Sequence, residues 1–232
     1  MQSMKEVVKE HFQNEARNFD EIIQKIVPFY SQMIDALIIV LPFHISKDIH
    51  VLDLGSGTGT VCQKVKERYV NAHVTCLDFA ENMIIVAKQR LKVYPDVKYI
   101  IGDFYNFEFS QKYDAIISSL ALHHLRTDDD KKTFYKNIFD HLTDNGVFYN
   151  ADIILGSNKY LQDIYMSKWK EFMQNNISEE EINSLWILKY DTEDKPAELI
   201  HQLAWLNKIG FQDIDVVWKY FNFAVYGGVK RK

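Results

Sequence analysis

Apolar positions along the chain change their period twice, which divides it into three parts. From 4 to 41 they recur every three or four residues. Phe19, Ile22, Ile23, Ile26 and Val27 precede Pro28, and Met33, Ile34, Leu37, Ile38 and Leu41 follow it. That spacing predicts a pair of amphipathic helices broken near the proline, which cannot donate to a helical hydrogen-bond ladder. From 49 to 153 short apolar runs alternate with helical patterns. Strands are predicted over 49–54, 72–78, 97–102, 113–119 and 147–153, and helices over 58–69, 80–93 and 129–142. Such alternation implies βαβ units and a mainly parallel sheet. Asp128, Asp129 and Asp130 complement the dipole of the third of these helices, and Asn145-Gly146 predicts a turn into the fifth strand.

Beyond 155 the pattern turns helical again over 157–189, with Tyr160, Tyr165, Trp169, Phe172, Trp186 and Tyr190 along it. This stretch stands where such a sheet normally runs straight into its last crossover helix. The crossover is predicted over 196–209, ended by Gly210 as a C-cap. Residues 211–218 and 221–227 then read as strands, and the tight connection at Lys219-Tyr220 permits only an antiparallel hairpin. The expected fold class is α/β: a Rossmann-like, seven-stranded, mainly parallel sheet with an antiparallel last strand, N-terminal helices and a helical insertion after strand five. A single domain over 1–232 is expected, with 1–45 as a helical lid and 156–192 as a substrate cap.

Composition narrows the function classes. Hydrophobic residues make up 47% of the 232 positions and aromatics 14%, enough for a full core with aromatic side chains left to line a pocket. The 32 acidic residues outnumber the 27 basic ones, for a formal charge of −5, which disfavours nucleic acid as the main partner. Lys230-Arg231-Lys232 reads as a solvated tail. Cys62 and Cys76 fall in a predicted helix and a predicted buried strand, so both are expected as core thiols. The first ten residues are charged and lack the apolar core of a secretory signal. The longest apolar run, 36–42, is too short to span a bilayer. A cytoplasmic chain without a membrane partner is expected, and a homodimer is compatible with this composition.

Chemistry concentrates in Val51-Leu52-Asp53-Leu54-Gly55-Ser56-Gly57-Thr58-Gly59-Thr60, a buried strand, a glycine turn and a helix start. Gly57 and Gly59 have no Cβ, so a ligand can lie against the backbone under the first helical amides. A phosphate-binding P-loop needs Lys after the last glycine, and the dinucleotide fingerprint needs a third small residue further on; Thr60 fails both. Ligands of an open α/β sheet bind outside the carboxyl ends of its strands. Those ends carry Asp53, then Asp78, then Gly102-Asp103-Phe104, then Ser118-Ser119, then Asn150-Ala151-Asp152. The three carboxylates Asp53, Asp78 and Asp103, with no lysine or arginine among the strand-end groups, suit a ligand with hydroxyls, an exocyclic amine and positive charge.

The Asp-x-Gly-x-Gly-x-Gly loop resembles the cofactor loop of class I S-adenosylmethionine-dependent methyltransferases, small-molecule branch, and the resemblance extends over about residues 49 to 155 and the closing strands. It implies S-adenosyl-L-methionine as cofactor and a small-molecule methyl acceptor. It also implies that Gly55, Ser56, Gly57 and Gly59 line the methionine part and that Asp53 orders the loop. By the same resemblance Asp78 holds the ribose with Phe79 and Met83 beside the adenine, Asp103 accepts from the adenine amine with Phe104 stacking nearby, and Ser119 and Leu120 lie under the sulfonium.

The run Ala121-Leu122-His123-His124-Leu125 is then expected at the donor methyl, with His124, or else His123, as general base, since imidazole titrates near neutrality. Some relatives use a divalent ion, but His123, His124, Asp152 and His201 have no compact ligand spacing, and no metal is expected. Tyr30, Asp152, Tyr165 and Trp169 are the candidate acceptor contacts. The Asn/Asp-Pro-Pro-Tyr/Phe element that resembles base and glutamine methyltransferases is replaced by Ser118-Ser119-Leu120-Ala121, which favours an enclosed small-molecule pocket. Phe19-Asp20-Glu21 and Pro28 resemble the N-terminal helices of enzymes that make carboxy-S-adenosylmethionine for tRNA wobble modification; their Arg-Ser-Val-Pro-Gly-Tyr run and Gly-Cys-Ser loop are missing here. That reading and a non-catalytic S-adenosylmethionine-binding protein stand as alternatives.

Overall fold

The computed structural model describes residues 4–16 and 18–232. Seven strands form one sheet in the order β3-β2-β1-β4-β5-β7-β6. They are β1 (Ile49–Leu54), β2 (Ala72–Asp78), β3 (Lys98–Ile101), β4 (Tyr113–Ser119), β5 (Leu142–Ile153), β6 (Gln212–Tyr220) and β7 (Phe223–Val229). The first five run parallel, and β7 is antiparallel to both β5 and β6. The order reverses between β1 and β4, so their carboxyl ends open the crevice where a doubly wound sheet takes its ligand. The α/β architecture with an antiparallel last strand is the one the sequence predicts.

Helices α2 (Phe19–Ile26), α3 (Tyr30–Ile39), α4 (Thr60–Arg68), α5 (Glu81–Arg90) and α7 (Lys159–Met173) contribute to the core on one face of the sheet. The core on the other face is closed by α6 (Asp128–Asp140) and α10 (Leu199–Ile209). Because both faces are covered, β1, β2 and β4 read as nearly continuous apolar runs, and their ends coincide with the predicted ones. Helix α6 starts on a capping box in which Thr127 and Asp130 exchange side-chain-to-backbone hydrogen bonds. Gly210, at φ +120°, closes α10 as predicted.

Three details differ from expectation. The N-terminal region holds three helices, because α1 (Met4–Glu15) ends before Asn18, whose carbonyl starts α2 by accepting from Glu21 and Ile22. Strand β5 begins at Leu142, which pairs with Tyr113, and Asn145-Gly146 is a bulge within it, with Asn145 at φ +62°. The closing hairpin turns at Phe221-Asn222, since Tyr220 still pairs with Phe223.

The insertion comprises α7, then α8 (Glu179–Glu181), which widens through Ile182–Ile187 into α9 (Leu188–Glu193). Trp169 of α7 donates from Nε1 to the Ile26 carbonyl at 2.6 Å, fastening the insertion to α2. Helix α1 meets α9 through His11, with Nδ1 2.9 Å from Glu193 Oε2 and Nε2 2.7 Å from Lys189 Nζ. Both thiols are buried and free, with Cys62 Sγ 2.9 Å from Cys76 Sγ. Among the described residues no single helix is long and apolar enough to cross a membrane.

Candidate active site

The glycine loop closes back on β2. Gly55 and Ser56 donate their amides to the Leu77 carbonyl at 2.8 and 2.9 Å, and Gly57 donates to Asp78 Oδ2 at 2.8 Å. Only glycine fits the first of these positions: at φ +72°, a Cβ on Gly55 would stand 2.2 Å from Ala121 Cβ. At Gly57 the reverse holds, since nothing lies within 4 Å of where a Cβ would be. Thr58 donates to Asp20 Oδ1 at 2.7 Å, and Arg90 pairs with the same carboxylate, so the loop is also tied to α2 and α5.

Two buried carboxylates sit under this loop. Asp53 accepts from Cys62 Sγ at 3.1 Å through Oδ2, while Oδ1 has no hydrogen-bond partner. Burial pushes its pKa up to about 7, against the Cys62 hydrogen bond and with the help of the Asp78 charge. Asp78 accepts from the Ala80 amide at 2.9 Å as well as from Gly57. Burial raises its pKa to about 6, moderated by the amides of Ala80, Gly57 and Phe79.

A cavity of about 280 Å³ opens at these strand ends, lined by Gly55, Asp78, Phe79, Asp103, Phe104, Leu120, Ala121 and His124, among others. Asp103 shapes its turn by accepting from the Tyr105 amide at 3.0 Å. Leu120 holds φ +52°, rare for a branched side chain, and its amide donates to the Ala151 carbonyl at 2.8 Å. This kink turns Leu120 and Ala121 into the cavity wall instead of continuing β4. Of the sequence-predicted cofactor residues, Asp53, Ser56, Gly57, Gly59, Met83 and Ser119 do not line this cavity. Met83 is buried against Ala16 and Ala80, with Phe79 packed alongside.

A second cavity, of about 100 Å³, shares Phe12, Leu120, His124 and Glu193 with the first. Its walls are Phe19, Ile22, Ile26, Trp169, Trp186 and Tyr190 from the N-terminal helices and the insertion, with Phe223 at the sheet. Trp169 meets Tyr190 and Phe223 edge-on at 5.5 and 5.7 Å. Asp152 lies behind His123 and does not face this space. Tyr30 and Tyr165 line neither cavity: Tyr30 packs against the core, and Tyr165 accepts from Lys219 Nζ at 2.9 Å and meets Phe221.

Where the cavities join, the histidines differ sharply. His123 Nδ1 is 2.5 Å from Asp152 Oδ1 and its Nε2 is 3.5 Å from Asp194 Oδ1. Burial works against charge on this ring, but the Asp152 and Asp194 carboxylates outweigh it and push the pKa up to about 10. His124 is also buried, and neither ring nitrogen has a hydrogen bond. Burial, followed by the neighbouring His123 charge, pushes its pKa down to about 4, so the ring is neutral. Its edge meets Phe12, with ring centroids 5.6 Å apart.

Sequence reasoning missed Phe12, Glu193, Asp194, Lys195 and Arg126. Phe12 lies on α1, and the Lys195 amide donates to the His123 carbonyl at 3.0 Å, which brings 193–195 over the site. No local pattern marks these positions, since long-range packing alone delivers them. His201, once grouped with the other histidines, is exposed and stacked on Trp205.

Comparison with known proteins agrees with this geometry. Residues 51–146 match the family described as "Methyltransferase domain". A carboxy-S-adenosyl-L-methionine synthase of Nautilia profundicola is 27% identical over 213 residues, covering 90% of this chain and 88% of that one. A malonyl-[acyl-carrier protein] O-methyltransferase of Bacillus anthracis is 31% identical over 135 residues, 58% of this chain, which spans about half of that relative's length, 48%. In fold, the chain superposes over 100% of its length on 61% of phosphoethanolamine N-methyltransferase 2 of Haemonchus contortus in complex with S-adenosyl-L-methionine, with a TM-score of 0.72 and 15% identity. Residues 51–146 therefore form a methyltransferase domain, and the fold is the one seen in S-adenosylmethionine-bound methyltransferases. The chain's enzyme class is methyl transfer and its cofactor is S-adenosyl-L-methionine.

Proposed function

We propose that this chain methylates a small-molecule acceptor held in the second cavity, with the acceptor's nucleophile meeting the donor methyl where Leu120 and His124 divide the two spaces. The observation that carries this reading is the junction itself. An acidic, glycine-edged cavity at the sheet adjoins an aromatic one under the helices, and Phe12, Leu120, His124 and Glu193 belong to both.

The cofactor cavity fits an adenosyl cation by its own chemistry: two buried carboxylates under the loop, one with an orphaned oxygen, and open space beside the Gly57 backbone. Gly55, Ser56, Gly57 and Gly59 would hold the methionine part, with Asp53 beneath them; Asp78 the ribose; and Phe79 and Asp103 the adenine, with Met83 and Phe104 behind. Ser119 and Leu120 would support the sulfonium. When bound, S-adenosylmethionine supplies a methyl group on a positively charged sulfur. The protein's own contribution is position and dryness. Helices α1 and α2 and the insertion exclude water as lid and cap, and the aromatic walls hold the acceptor in line. His124, neutral and without a hydrogen-bond partner, takes the proton from the nucleophile, and His123, clamped by Asp152 and Asp194, holds the loop that carries it.

A turnover screen tests this reading. Purified protein, S-adenosylmethionine and a panel of small amines, phenols, thiols and carboxylic acids should yield S-adenosylhomocysteine with at least one acceptor. Cofactor binding without turnover on a broad panel would favour a non-catalytic protein. A second reading, a carboxy-S-adenosylmethionine synthase, is favoured by the near full-length similarity to the Nautilia profundicola enzyme. It predicts a carboxylated S-adenosylmethionine by mass spectrometry. Among the described residues, the walls shared by the two cavities carry His124 and Glu193 and no arginine to hold a carboxylate, and Arg126 lines the first cavity alone, which favours the first reading.

A further inference from the structure

We infer that His123, His124 and Asp194 form a binding site for a divalent transition metal ion at the floor of the second cavity. This deepens the reading above, since it rests on that cavity being the acceptor's. The ligand atoms already converge: His123 Nε2 and His124 Nδ1 lie 3.5 and 3.6 Å from the same oxygen, Asp194 Oδ1, and all three are within 4.8 Å of one another. Neighbouring donors around a tetrahedral ion, at about 2.0–2.1 Å from the metal, stand about 3.3 Å apart, so small side-chain adjustments suffice. Consecutive histidines escape the usual sequence spacings because the one-turn 3-10 segment Leu122–His124 points both rings to one side, with centroids 4.1 Å apart.

Two further observations point to a ligand. First, His124 is buried with both ring nitrogens lacking a hydrogen bond, an arrangement that leaves a strong donor aimed at Asp194 without a proton to share. Second, His123 has the outer support that metal-bound imidazoles require. Its Nδ1 meets Asp152 at 2.5 Å, which fixes the ring and leaves Nε2 as the atom facing Asp194, where an ion would displace the Nε2 proton, and Asn150 in turn donates to Asp152 at 3.2 Å. Two imidazoles and one carboxylate select a borderline ion such as Zn²⁺, Co²⁺, Mn²⁺ or Fe²⁺ over Mg²⁺ or Ca²⁺. Three protein ligands leave a position open, and all three residues line the second cavity. An acceptor oxygen, nitrogen or sulfur taking that position is polarised there. With the ion bound, His124 acts as ligand, and activating the nucleophile passes from the imidazole to the metal.

Metal-stripped protein titrated with Co²⁺, and separately dialysed against Zn²⁺ with metal analysis, tests the site without cofactor or acceptor. We expect one ion per chain with visible Co²⁺ bands of a four-coordinate site. Asp194→Asn and His124→Gln should lose both, and Asp152→Asn should weaken binding by about 10–100-fold. Thermal melting of each variant separates loss of the site from loss of the fold. Absence of stoichiometric binding, or equal binding by wild type and Asp194→Asn, would overturn the inference. Titrating S-adenosylmethionine into the same metal-free sample reports the methyltransferase reading independently, so failure of one is not failure of the other.

Discussion

The sheet edge and its helical cover solve different problems with different materials. The edge is built from strand ends close in sequence, and its recognition groups are backbone amides and carboxylates fixed by the parallel register: Gly57, Asp53, Asp78, Asp103. The cover is assembled from α1, α2, α7 and α9, which meet only on folding and contribute aromatic area around one histidine pair. The edge is rigid and generic, suited to a ligand common to many enzymes. On the proposed reading, the difference teaches where specificity resides: the donor lies on the sheet, the acceptor under the helices.

This division can be broken from either side, and the largest effect is expected at the seam. His124→Ala should lower kcat by about 10²–10⁴-fold with the Kd for S-adenosylmethionine unchanged, measured with whichever acceptor turns over. A parallel loss of cofactor affinity would mean that the two halves are not separable there. On the edge side, Asp78→Ala should weaken S-adenosylmethionine by about 100-fold or more, the loss of two hydrogen bonds to a charged acceptor at about 1.5–3 kcal/mol each. Its melting temperature should fall too, since the Gly57 and Ala80 amides lose their acceptor, so affinity is measured well below the transition.

Acidity probes the same carboxylate more gently. Because Asp78 is raised to about 6, its ionised form, the one that would accept from ribose hydroxyls, prevails above that pH and is lost below it. Cofactor affinity measured by titration should therefore be flat from pH 7 to 8 and fall by about tenfold per unit once below about pH 6. A flat profile down to pH 5 would remove Asp78 from the contact.

On the cover side, Trp169→Phe removes the indole N–H that meets the Ile26 carbonyl and should cost about 1–2 kcal/mol of stability. Acceptor KM should rise while cofactor Kd stays put. The smallest effect is expected beneath the loop. Asp53 is raised to about 7 from 3.8, so the folded state disfavours its ionised form and loses stability as pH rises from about 4 to 7. Asp53→Asn should raise the melting temperature of cofactor-free protein at pH 8 by about 2–4 °C, the shift for roughly 1 kcal/mol in a chain of this size.

The edge was largely legible before the structure. Strands buried on both faces appear as bounded apolar runs, so β1, β2 and β4 were readable to the residue, and Asp78 and Asp103 followed as strand-end groups. The cover was legible only as helices and aromatics. Trp169 faces the second cavity, but Tyr165, four residues earlier on α7, turns to Lys219, because spacing gives a helix face without saying which face the sheet will meet. Asp194 was invisible for another reason: it precedes Lys195-Pro196 in a short polar link and gains meaning only where the link crosses His123.

The most direct measurement is calorimetric titration of the wild-type protein at pH 8 with S-adenosylmethionine, S-adenosylhomocysteine and NAD. One S-adenosylmethionine per chain, displaced by S-adenosylhomocysteine and with no heat from NAD, is the predicted result. Tight NAD binding with no S-adenosylmethionine binding would contradict it.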